Sequence, residues 1–357
     1  MDRRAFRKLP ILLLAATISS GGAWAADGES EYRLSGPLVS ANLAVYFVHG
    51  KSSAGPVPST LQEAMANEAV RVYETGNVNE LAIENRGDEA VFVQAGDIVK
   101  GGKQDRSLTV SLLLAPHSER IPIASFCVEP GRWSQRGRED AGHFSSALAA
   151  MPSREAMIAM KAPAPAQTAV QRELASDPSH RSADETRERQ QRVWDYVRSI
   201  NRELSNNLSA SAGPMPVPNS LQTALEDDKL KQAQQAYIEE LRPAGEKEAD
   251  IIGYVFAVNG KLNSGDVYSS NALFRKLWPK LLAASATEAI ASRDTAAAAA
   301  PSVEAVRAFV SAAEAGKPTI TELTRNARLE TRETQEALYF ATAWADGRWV
   351  HRNYLAK

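Results

Sequence analysis

The sequence predicts an α+β protein in which antiparallel β-sheets, arranged like a sandwich, are packed against helices. Short apolar segments follow one another at close spacing between residues 38 and 128, which is typical of antiparallel sheets in two layers. Asn259-Gly260 and Asp346-Gly347 each separate two apolar runs, as hairpin turns do. In the second half of the chain, apolar residues recur every three or four positions, and this period predicts helices.

The first 25 residues have the pattern of an export signal peptide. A basic segment (residues 2–8) precedes a short apolar run (residues 10–18), and Ala23-Trp24-Ala25 provides the small side chains of a cleavage site. The basic segment also resembles a twin-arginine signal, although Arg7 stands where such signals prefer leucine. Because the apolar run is too short to span a bilayer, we expect a periplasmic protein with no stable membrane span after cleavage.

The mature chain begins with a polar segment, a strand and a short helix. Residues 26–36 are polar, and we expect them to be frayed. Leu38–Val48 is apolar and aromatic, which predicts a strand. After a loop rich in serine, glycine and proline, Ser59 or Thr60 can cap a helix that ends at Ala69.

From Val70 onward the apolar residues alternate with polar ones, which predicts a series of strands. The predicted strands are 70–72, 81–83, 90–95, 108–115 and 121–128. Leu108–Leu114 is expected to pair with Ile121–Val128 across the turn at Pro116-His117-Ser118. We expect residues 38–133 to form the main sheet, completed by hairpins near 251–267 and 337–355.

The remaining chain is predicted to be mainly helical. The predicted helices are 185–204, 220–241, 269–290 and 302–315. Val193, Val197 and Ile200 form an apolar stripe on the first of these helices, which is the face expected to pack on the sheet. Proline- and alanine-rich segments near 161–166 and 291–301 are expected to be inserts.

Composition limits the classes of function. The formal net charge of −2 over 357 residues provides no basic face of the kind that nucleic acid requires, so we expect no nucleic-acid partner. Cys127 is the single cysteine, and an internal disulfide is therefore impossible. Its neighbours Phe126 and Val128 predict a buried, unreactive thiol.

A glycine pair followed by charged residues is the first candidate site. Gly101-Gly102 allows the backbone to turn several N–H groups toward one point, which suits an anion. Lys103 and Arg106 add positive charge, and arginine can bind a carboxylate or phosphate through two hydrogen bonds. The same residues also fit a connecting loop with surface charges. The spacing of a P-loop is absent.

A second polar cluster follows the next predicted strand. Pro130-Gly131 is typical of a tight turn, and Glu129 and Arg132 on either side of it can form an ion pair. Arg132 or a cationic ligand can stack on Trp133. The alternative interpretation is a salt-bridged turn in which the tryptophan fills the core.

Catalytic and metal-binding patterns are weak in this sequence. The five histidines are far apart, no histidine or cysteine pair has metal-ligand spacing, and no G-x-S-x-G segment occurs. We therefore predict no metal and no cofactor. Asp97, Asp105 and Glu129 are the carboxylates near the candidate site, and any two of them can supply an acid and a base.

Several segments together resemble the ARPP-1 domain, the ADP-ribosylglycohydrolase and rhodanese-phosphatase-superfamily-associated protein domain, whose function is unknown. The resemblance is carried by Gly96–Arg106, Ile121-Pro122-Ile123, Cys127–Trp133, Gln191–Trp194, Gly253–Gly260 with Phe274, and Val350-His351. It implies one domain over residues 33–355. Asp105 stands where the family usually has an amide, which puts a charge at that position.

These observations lead to three functional hypotheses. The first is a periplasmic binding module for a small anionic ligand. The second is a hydrolase that uses a carboxylate of the Gly96–Trp133 segment as general base. The third is a non-catalytic scaffold protein of the envelope. The candidate ligand-binding residues are Lys103, Gln104, Arg106, Glu129, Arg132 and Trp133. The oligomeric state is left open.

Overall fold

The computed structural model describes residues 32–131, 142–161, 180–212, 217–293 and 298–357. The strands are β1 Arg33–Ser40, β2 Leu43–His49, β3 Ser59–Thr60, β4 Val70–Glu74, β5 Glu80–Asn85, β6 Val91–Val93, β7 Asp97–Gly101, β8 Arg106–Leu108, β9 Leu112–Leu114, β10 Ile121–Cys127, β11 Phe144–Ala150, β12 Ile251–Val258, β13 Lys261–Tyr268, β14 Thr319–Thr324, β15 Ala327–Glu333, β16 Ala337–Trp344 and β17 Trp349–Ala356. The helices are α1 Leu61–Ala66, α2 Arg154–Met160, α3 His180–Ala212, α4 Leu221–Leu225, α5 Asp228–Lys247, α6 Asn271–Ala291 and α7 Val303–Glu314. The predicted α+β class is confirmed.

An eight-stranded antiparallel sheet forms the centre of the fold, in the order β1-β2-β12-β13-β17-β16-β15-β14. The predicted hairpins at Asn259-Gly260 and Asp346-Gly347 are both present in it, as β12–β13 and β16–β17. The prediction that residues 38–133 form one sheet with these hairpins was wrong. Only β1 and β2 join them, because Val45 and Phe47 pair with Phe256 and Tyr254 more than 200 residues along the chain.

The middle of the first half folds into two smaller sheets instead. One has the order β11-β7-β8-β10-β5-β4, and the other has the order β3-β6-β9. The predicted pairing of Leu108–Leu114 with Ile121–Val128 is correct only at its first end, where Leu108 pairs with Ser125. After Leu108 the chain leaves this sheet, and Leu112–Leu114 pairs with Val91–Val93 in the other one.

Both faces of the eight-stranded sheet are covered. Tyr254 and Phe256 point to the face occupied by α6, where the ring of Tyr254 lies 5.1 Å from that of Trp278. Val255 and Ala257 alternate with them and pack against α7, in a second core that includes Phe309. This period of two explains why β12 is buried along its whole length.

The helix boundaries follow from capping residues. Thr60 and Glu63 form a capping box at the start of α1, as the sequence predicted for Thr60. The predicted helix 220–241 is divided into α4 and α5, because Asp227 has an extended backbone and its side chain accepts a hydrogen bond from the Lys229 N–H. The helix predicted over 185–204 extends in both directions to 180–212.

Five strands were not predicted, namely β3, β7, β11, β14 and β15. β11, β14 and β15 contain many serine, threonine and charged residues, so their apolar alternation is weak in the sequence. β1 begins at Arg33, inside the segment 26–36 that was expected to be frayed. Residues 26–31, and most of the segment 161–166, lie outside the described residues.

Within the described ranges, no helix combines the length and the apolar character that crossing a membrane requires. The export signal predicted for residues 1–25 lies outside these ranges.

Candidate functional site

The turn between β7 and β8 carries the first predicted site residues. Lys103 is exposed at its tip, whereas Gln104 and Arg106 are buried with 0% and 2% of their surface exposed. Glu129, just after β10, is also buried. Arg132 and Trp133 lie outside the described residues, so their predicted places beside these groups stay predictions.

The N–H groups that the sequence assigned to an anion are bound by carboxylates of the protein. Gly101 and Gly102 have φ angles of 120° and 56°, which allow the turn. The Gly101 N–H donates to Asp105 Oδ1 over 3.0 Å, and the Lys103 N–H donates to Glu74 Oε1 over 3.1 Å. An anionic ligand at this turn must therefore displace two carboxylates.

Arg106 stabilises the same turn from the inside. Its Nη1 donates to the main-chain oxygen and to the side-chain Oε1 of Gln104, over 3.2 and 3.1 Å. Its Nη2 lies 3.8 Å from Glu74 Oε2. The guanidinium is thus held within the protein by Gln104 and Glu74, although a buried arginine of this kind is usually costly without such partners.

Helix α3 contacts the end of β10, next to this turn. Gln190 donates from Nε2 to the Cys127 main-chain oxygen, and its Oε1 accepts from the Cys127 N–H, each over 2.9 Å. Cys127 lies opposite Arg106 in the β8–β10 ladder and is fully buried, as its apolar neighbours predicted. Burial raises the pKa of its thiol, so the sulfur is unsuited to act as a nucleophile.

Two of the segments that carry the family resemblance, Gly96–Arg106 and Cys127–Trp133, therefore meet through Arg106 and Cys127, and α3 contacts them through Gln190. We call Glu74, Gln104, Asp105, Arg106, Cys127 and Gln190 the motif cluster. Glu74 and Gln190 were missed by the sequence analysis. Gln190 immediately precedes the Gln191–Trp194 segment of the resemblance, and that position was the available signal for it.

A cavity of about 50 Å³ lies at the opposite end of β7. Its lining includes the polar residues Gln94, Arg154, Tyr254, Asp266, Ser285, Glu288 and Asn353. By the measure that assigns about 10–15 Å³ to one water, this space holds a few water molecules or one small polar group. We call it the acidic cavity.

The walls of the acidic cavity come from distant parts of the chain. Ser285 and Glu288 are three residues apart on α6 and so share a helix face. Tyr254 and Asp266 are cross-strand partners in the β12–β13 hairpin, and Asn353 comes from β17 beside it. Arg154 begins α2, whose N-cap is Ser153.

Asp266 is held at one oxygen only. Its Oδ1 accepts from His351 Nε2 over 2.8 Å and from Asn353 Nδ2 over 3.0 Å, and its Oδ2 makes no hydrogen bond to a described residue. His351 stacks on Tyr268, with 4.8 Å between the ring centres. Burial lowers the pKa of His351, although the Asp266 carboxylate opposes that shift.

Glu288 shows the same pattern on the wall formed by α6. Its Oε1 accepts from Asn263 Nδ2 over 2.7 Å and from the Arg154 N–H over 3.3 Å, and its Oε2 has no partner among the described residues. Burial raises the pKa of Glu288 to about 7. Arg154 Nε is also buried without a hydrogen bond to the described part of the chain.

A buried lysine adds to this region. Lys161 Nζ donates to Asn353 Oδ1 over 2.6 Å and lies 4.1 Å from the ring centre of Phe340. Burial lowers the pKa of Lys161 to about 7, against the attraction of Asp266. The cavity is therefore surrounded by groups that exchange protons close to neutral pH.

Asp97, a carboxylate that the sequence analysis considered for catalysis, is engaged near the cavity. Its Oδ1 accepts from Lys280 Nζ over 2.6 Å, and its Oδ2 accepts from the Gln94 N–H over 3.0 Å. Gln94 Oε1 in turn accepts from the Tyr268 hydroxyl. Both carboxylate oxygens of Asp97 thus accept hydrogen bonds. By accepting from the Gln94 N–H, Asp97 helps to position Gln94 in the cavity wall.

Comparison with known proteins gives one family and no individual relative. The family model for the ARG and Rhodanese-Phosphatase-superfamily-associated Protein domain matches residues 31–355. No curated protein and no solved structure matches the chain. The match covers almost the whole chain and includes both the motif cluster and the acidic cavity. The chain belongs to the ARPP-1 family.

Proposed function

We propose that this protein is an exported binding module that holds the polar head group of a small amine or amino acid in the acidic cavity. One observation carries the proposal. Asp266 and Glu288, on different walls, each commit one carboxyl oxygen to the protein and leave the other without a hydrogen bond among the described residues. Such oxygens are acceptors for the N–H groups of a ligand.

The rest of the lining supports a ligand of mixed polarity. Arg154 Nε is a buried donor without a described acceptor, and it suits a carboxylate or hydroxyl on the same ligand. Ser285 and Tyr254 share a hydrogen bond of 3.2 Å and can exchange it for one to the ligand. Cavities that combine apolar walls with a few convergent polar groups are the usual form of small-molecule sites.

The charge on Glu288 makes this binding depend on pH. Since the pKa of Glu288 is about 7, the group is protonated below that pH and ionised above it. A cationic head group is attracted to the ionised form. We therefore expect affinity for amines to rise as the pH passes from below to above about 7.

The anionic ligand predicted at Lys103 and Arg106 is less well supported by the geometry. The Gly101 and Lys103 N–H groups already donate to Asp105 and Glu74. That site remains a separate prediction, and the same experiment tests it.

A hydrolase is the second candidate function. A carboxyl group with a pKa of about 7 can transfer protons efficiently at neutral pH, and Asp266 lies in the same cavity as Glu288. In this alternative, Glu288 is the general acid and Asp266 is the base. It differs from binding alone in requiring turnover of the bound compound.

A thermal-shift screen tests these functions on the purified protein. The panel contains amino acids of both configurations, ethanolamine and diamines, with nucleotides and sugar phosphates as anionic compounds. A ligand at a hundredfold excess over its Kd stabilises the fold by about 3 kcal/mol. We expect a shift with a member of the amine group, which Glu288→Gln reduces and Lys103→Ala leaves unchanged.

The opposite pattern would place the ligand at the first predicted site. A shift with an anionic compound that Lys103→Ala removes and Glu288→Gln keeps would contradict the cavity proposal. Product formation by the wild-type protein, lost in Glu288→Gln while binding persists, identifies the hydrolase. If no compound shifts the unfolding temperature, the scaffold hypothesis is favoured.

A further inference from the structure

We propose that His49, Glu248 and Asp250 form a binding site for a divalent transition-metal ion such as Zn²⁺, for which Arg33 competes. The site lies apart from both the motif cluster and the acidic cavity and does not depend on the proposed function. One ligand atom of each residue lies within 4.8 Å of those of the other two. Imidazole nitrogen with carboxylate oxygens is a donor set that zinc commonly takes.

The distances between these atoms suit a tetrahedral ion. His49 Nδ1 lies 3.0 Å from Asp250 Oδ1 and 3.7 Å from Glu248 Oε2. Zinc bonds of about 2.0–2.1 Å at tetrahedral angles place ligand atoms about 3.3 Å apart. The two distances lie on either side of this value, so small rotations of the exposed carboxylates complete the geometry.

His49 is oriented as a metal ligand is. Its ring is 2% exposed, and Nε2 lies 2.7 Å from Ser35 Oγ on β1. A metal-binding histidine usually has its second ring nitrogen fixed by a hydrogen bond of this kind, which directs the other nitrogen to the ion. Here the other nitrogen, Nδ1, is directed toward Glu248 and Asp250.

A positively charged nitrogen already lies within 3.5 Å of all three residues. Arg33 Nη2 lies 2.8 Å from His49 Nδ1, 3.2 Å from Asp250 Oδ2 and 3.5 Å from Glu248 Oε2. Arg33 is 59% exposed and lies on an edge strand, so its side chain can turn out to solvent. The arginine thus marks where a cation is stabilised and can be replaced.

With Arg33 as the neighbouring cation, His49 Nδ1 cannot satisfy both of its close contacts. Nδ1 is within hydrogen-bond distance of a donor, Arg33 Nη2, and of an acceptor, Asp250 Oδ1. Whichever tautomer is present, a neutral ring can satisfy only one of these contacts. A divalent ion in place of the arginine nitrogen accepts the lone pair of Nδ1 and attracts the Asp250 carboxylate, so both contacts become favourable.

The backbone holds the ligands in place before any ion binds. The Gly50 N–H, next to His49, donates to the Asp250 main-chain oxygen over 2.9 Å. The Glu248 main-chain oxygen accepts from Asn271 Nδ2 over 3.3 Å. These contacts fix the main chain of the two carboxylate residues, so ion binding has to order only their side chains.

Titration calorimetry of the chelator-treated protein with Zn²⁺ tests the proposal, with Ca²⁺ and Mg²⁺ as hard-cation controls. We expect one zinc ion per chain at this site, a raised unfolding temperature, and little response to Ca²⁺ or Mg²⁺. Asp250→Asn and Glu248→Gln change half-exposed side chains and should each weaken zinc binding about tenfold or more. Circular dichroism in chelator checks that both variants fold.

Arg33→Ala separates a metal site from an ordinary ion-pair cluster. Removal of the competing cation should tighten zinc binding about tenfold, although the metal-free protein loses an ion pair. His117→Ala is the matched control, since His117 forms an exposed pair with Asp88 and should not affect the site. Unchanged or weaker zinc binding in Arg33→Ala, or loss of binding in His117→Ala alone, would overturn the proposal.

Discussion

The motif cluster and the acidic cavity lie at opposite ends of β7, about 13 Å apart along the strand, and they hold buried charge in different ways. In the motif cluster, carboxylates accept hydrogen bonds from main-chain N–H groups, and Arg106 donates to Gln104. In the cavity, Asp266 accepts from His351 and Asn353, and Glu288 accepts from Asn263, while both residues also line an open space. The first arrangement stabilises a turn, whereas the second surrounds a cavity with carboxyl groups, as the proposed ligand site requires.

The two regions also differ in proton binding. Around the cavity, burial brings the pKa values of Glu288 and Lys161 to about 7, from opposite directions. In the motif cluster, the shift of Cys127 is upward, away from neutral pH, because the thiol is buried. Perturbed ionisable groups near a concave site are a typical mark of function. The comparison therefore supports a structural role for the motif cluster and agrees with the ligand binding proposed for the cavity.

The largest expected effect concerns the structural role of the motif cluster. Arg106→Met removes the donor to both Gln104 oxygens and the partner of Glu74, so buried acceptors lose their hydrogen bonds. We expect a loss of about 4 kcal/mol in the free energy of unfolding. Denaturant unfolding measures it, with Lys103→Ala as the control.

Lys103 is exposed, and only its main-chain N–H binds Glu74, so the control should change stability by less than about 0.5 kcal/mol. If the two substitutions lowered stability equally, the buried Arg106 would not be what stabilises the motif cluster. The proposed difference between the two regions would then be wrong.

The next effect concerns Glu288 and has a defined dependence on pH. The folded protein binds the Glu288 proton up to about pH 7, whereas the unfolded chain releases it near its ordinary value of 4.5, so this group lowers stability as pH rises between the two. Glu288→Gln keeps the acceptor for Asn263 and has no such loss. We expect it to be more stable than wild type at pH 8, by up to about 3 kcal/mol.

Unfolding curves at pH 5 and pH 8 provide the measurement, and near pH 5 the two proteins should be almost equally stable. A variant that is less stable than wild type at pH 8 would show that the ionised carboxylate is stabilised by its surroundings. The cavity would then stabilise buried ionised carboxylates, as the motif cluster does.

The sequence was most informative about residues that lie close to one another along the chain. Gly101–Arg106 and Cys127–Glu129 are short segments, so their clustering could be predicted, as could the hairpins at Asn259-Gly260 and Asp346-Gly347. The acidic cavity could not be predicted. Arg154, Asp266 and Glu288 come from separate elements, and each is by itself an ordinary helix or strand residue.

The sequence also did not predict which strands pair when they are far apart in the chain. β2 and β12 pair across about two hundred residues, and apolar alternation predicts each strand without identifying its partner. The break after Leu108 has a local cause that only the fold reveals. Ser111 accepts hydrogen bonds from the Ala95 N–H through its Oγ and from Thr342 through its main-chain oxygen, and these contacts direct Leu112–Leu114 away from β10.

The smallest of the three effects tests whether α3 completes the motif cluster. Gln190→Ala removes the two hydrogen bonds to the Cys127 main chain and one from Asn79, and leaves a buried N–H group unpaired. We expect a loss of about 2 kcal/mol and faster reaction of Cys127 with a thiol reagent in the folded protein. Gln191→Ala is the matched control, since Gln191 is exposed and binds only Asp195 on its own helix. Similar thiol protection in both variants would contradict a role for Gln190, and the end of β10 would then be held by its sheet partners alone.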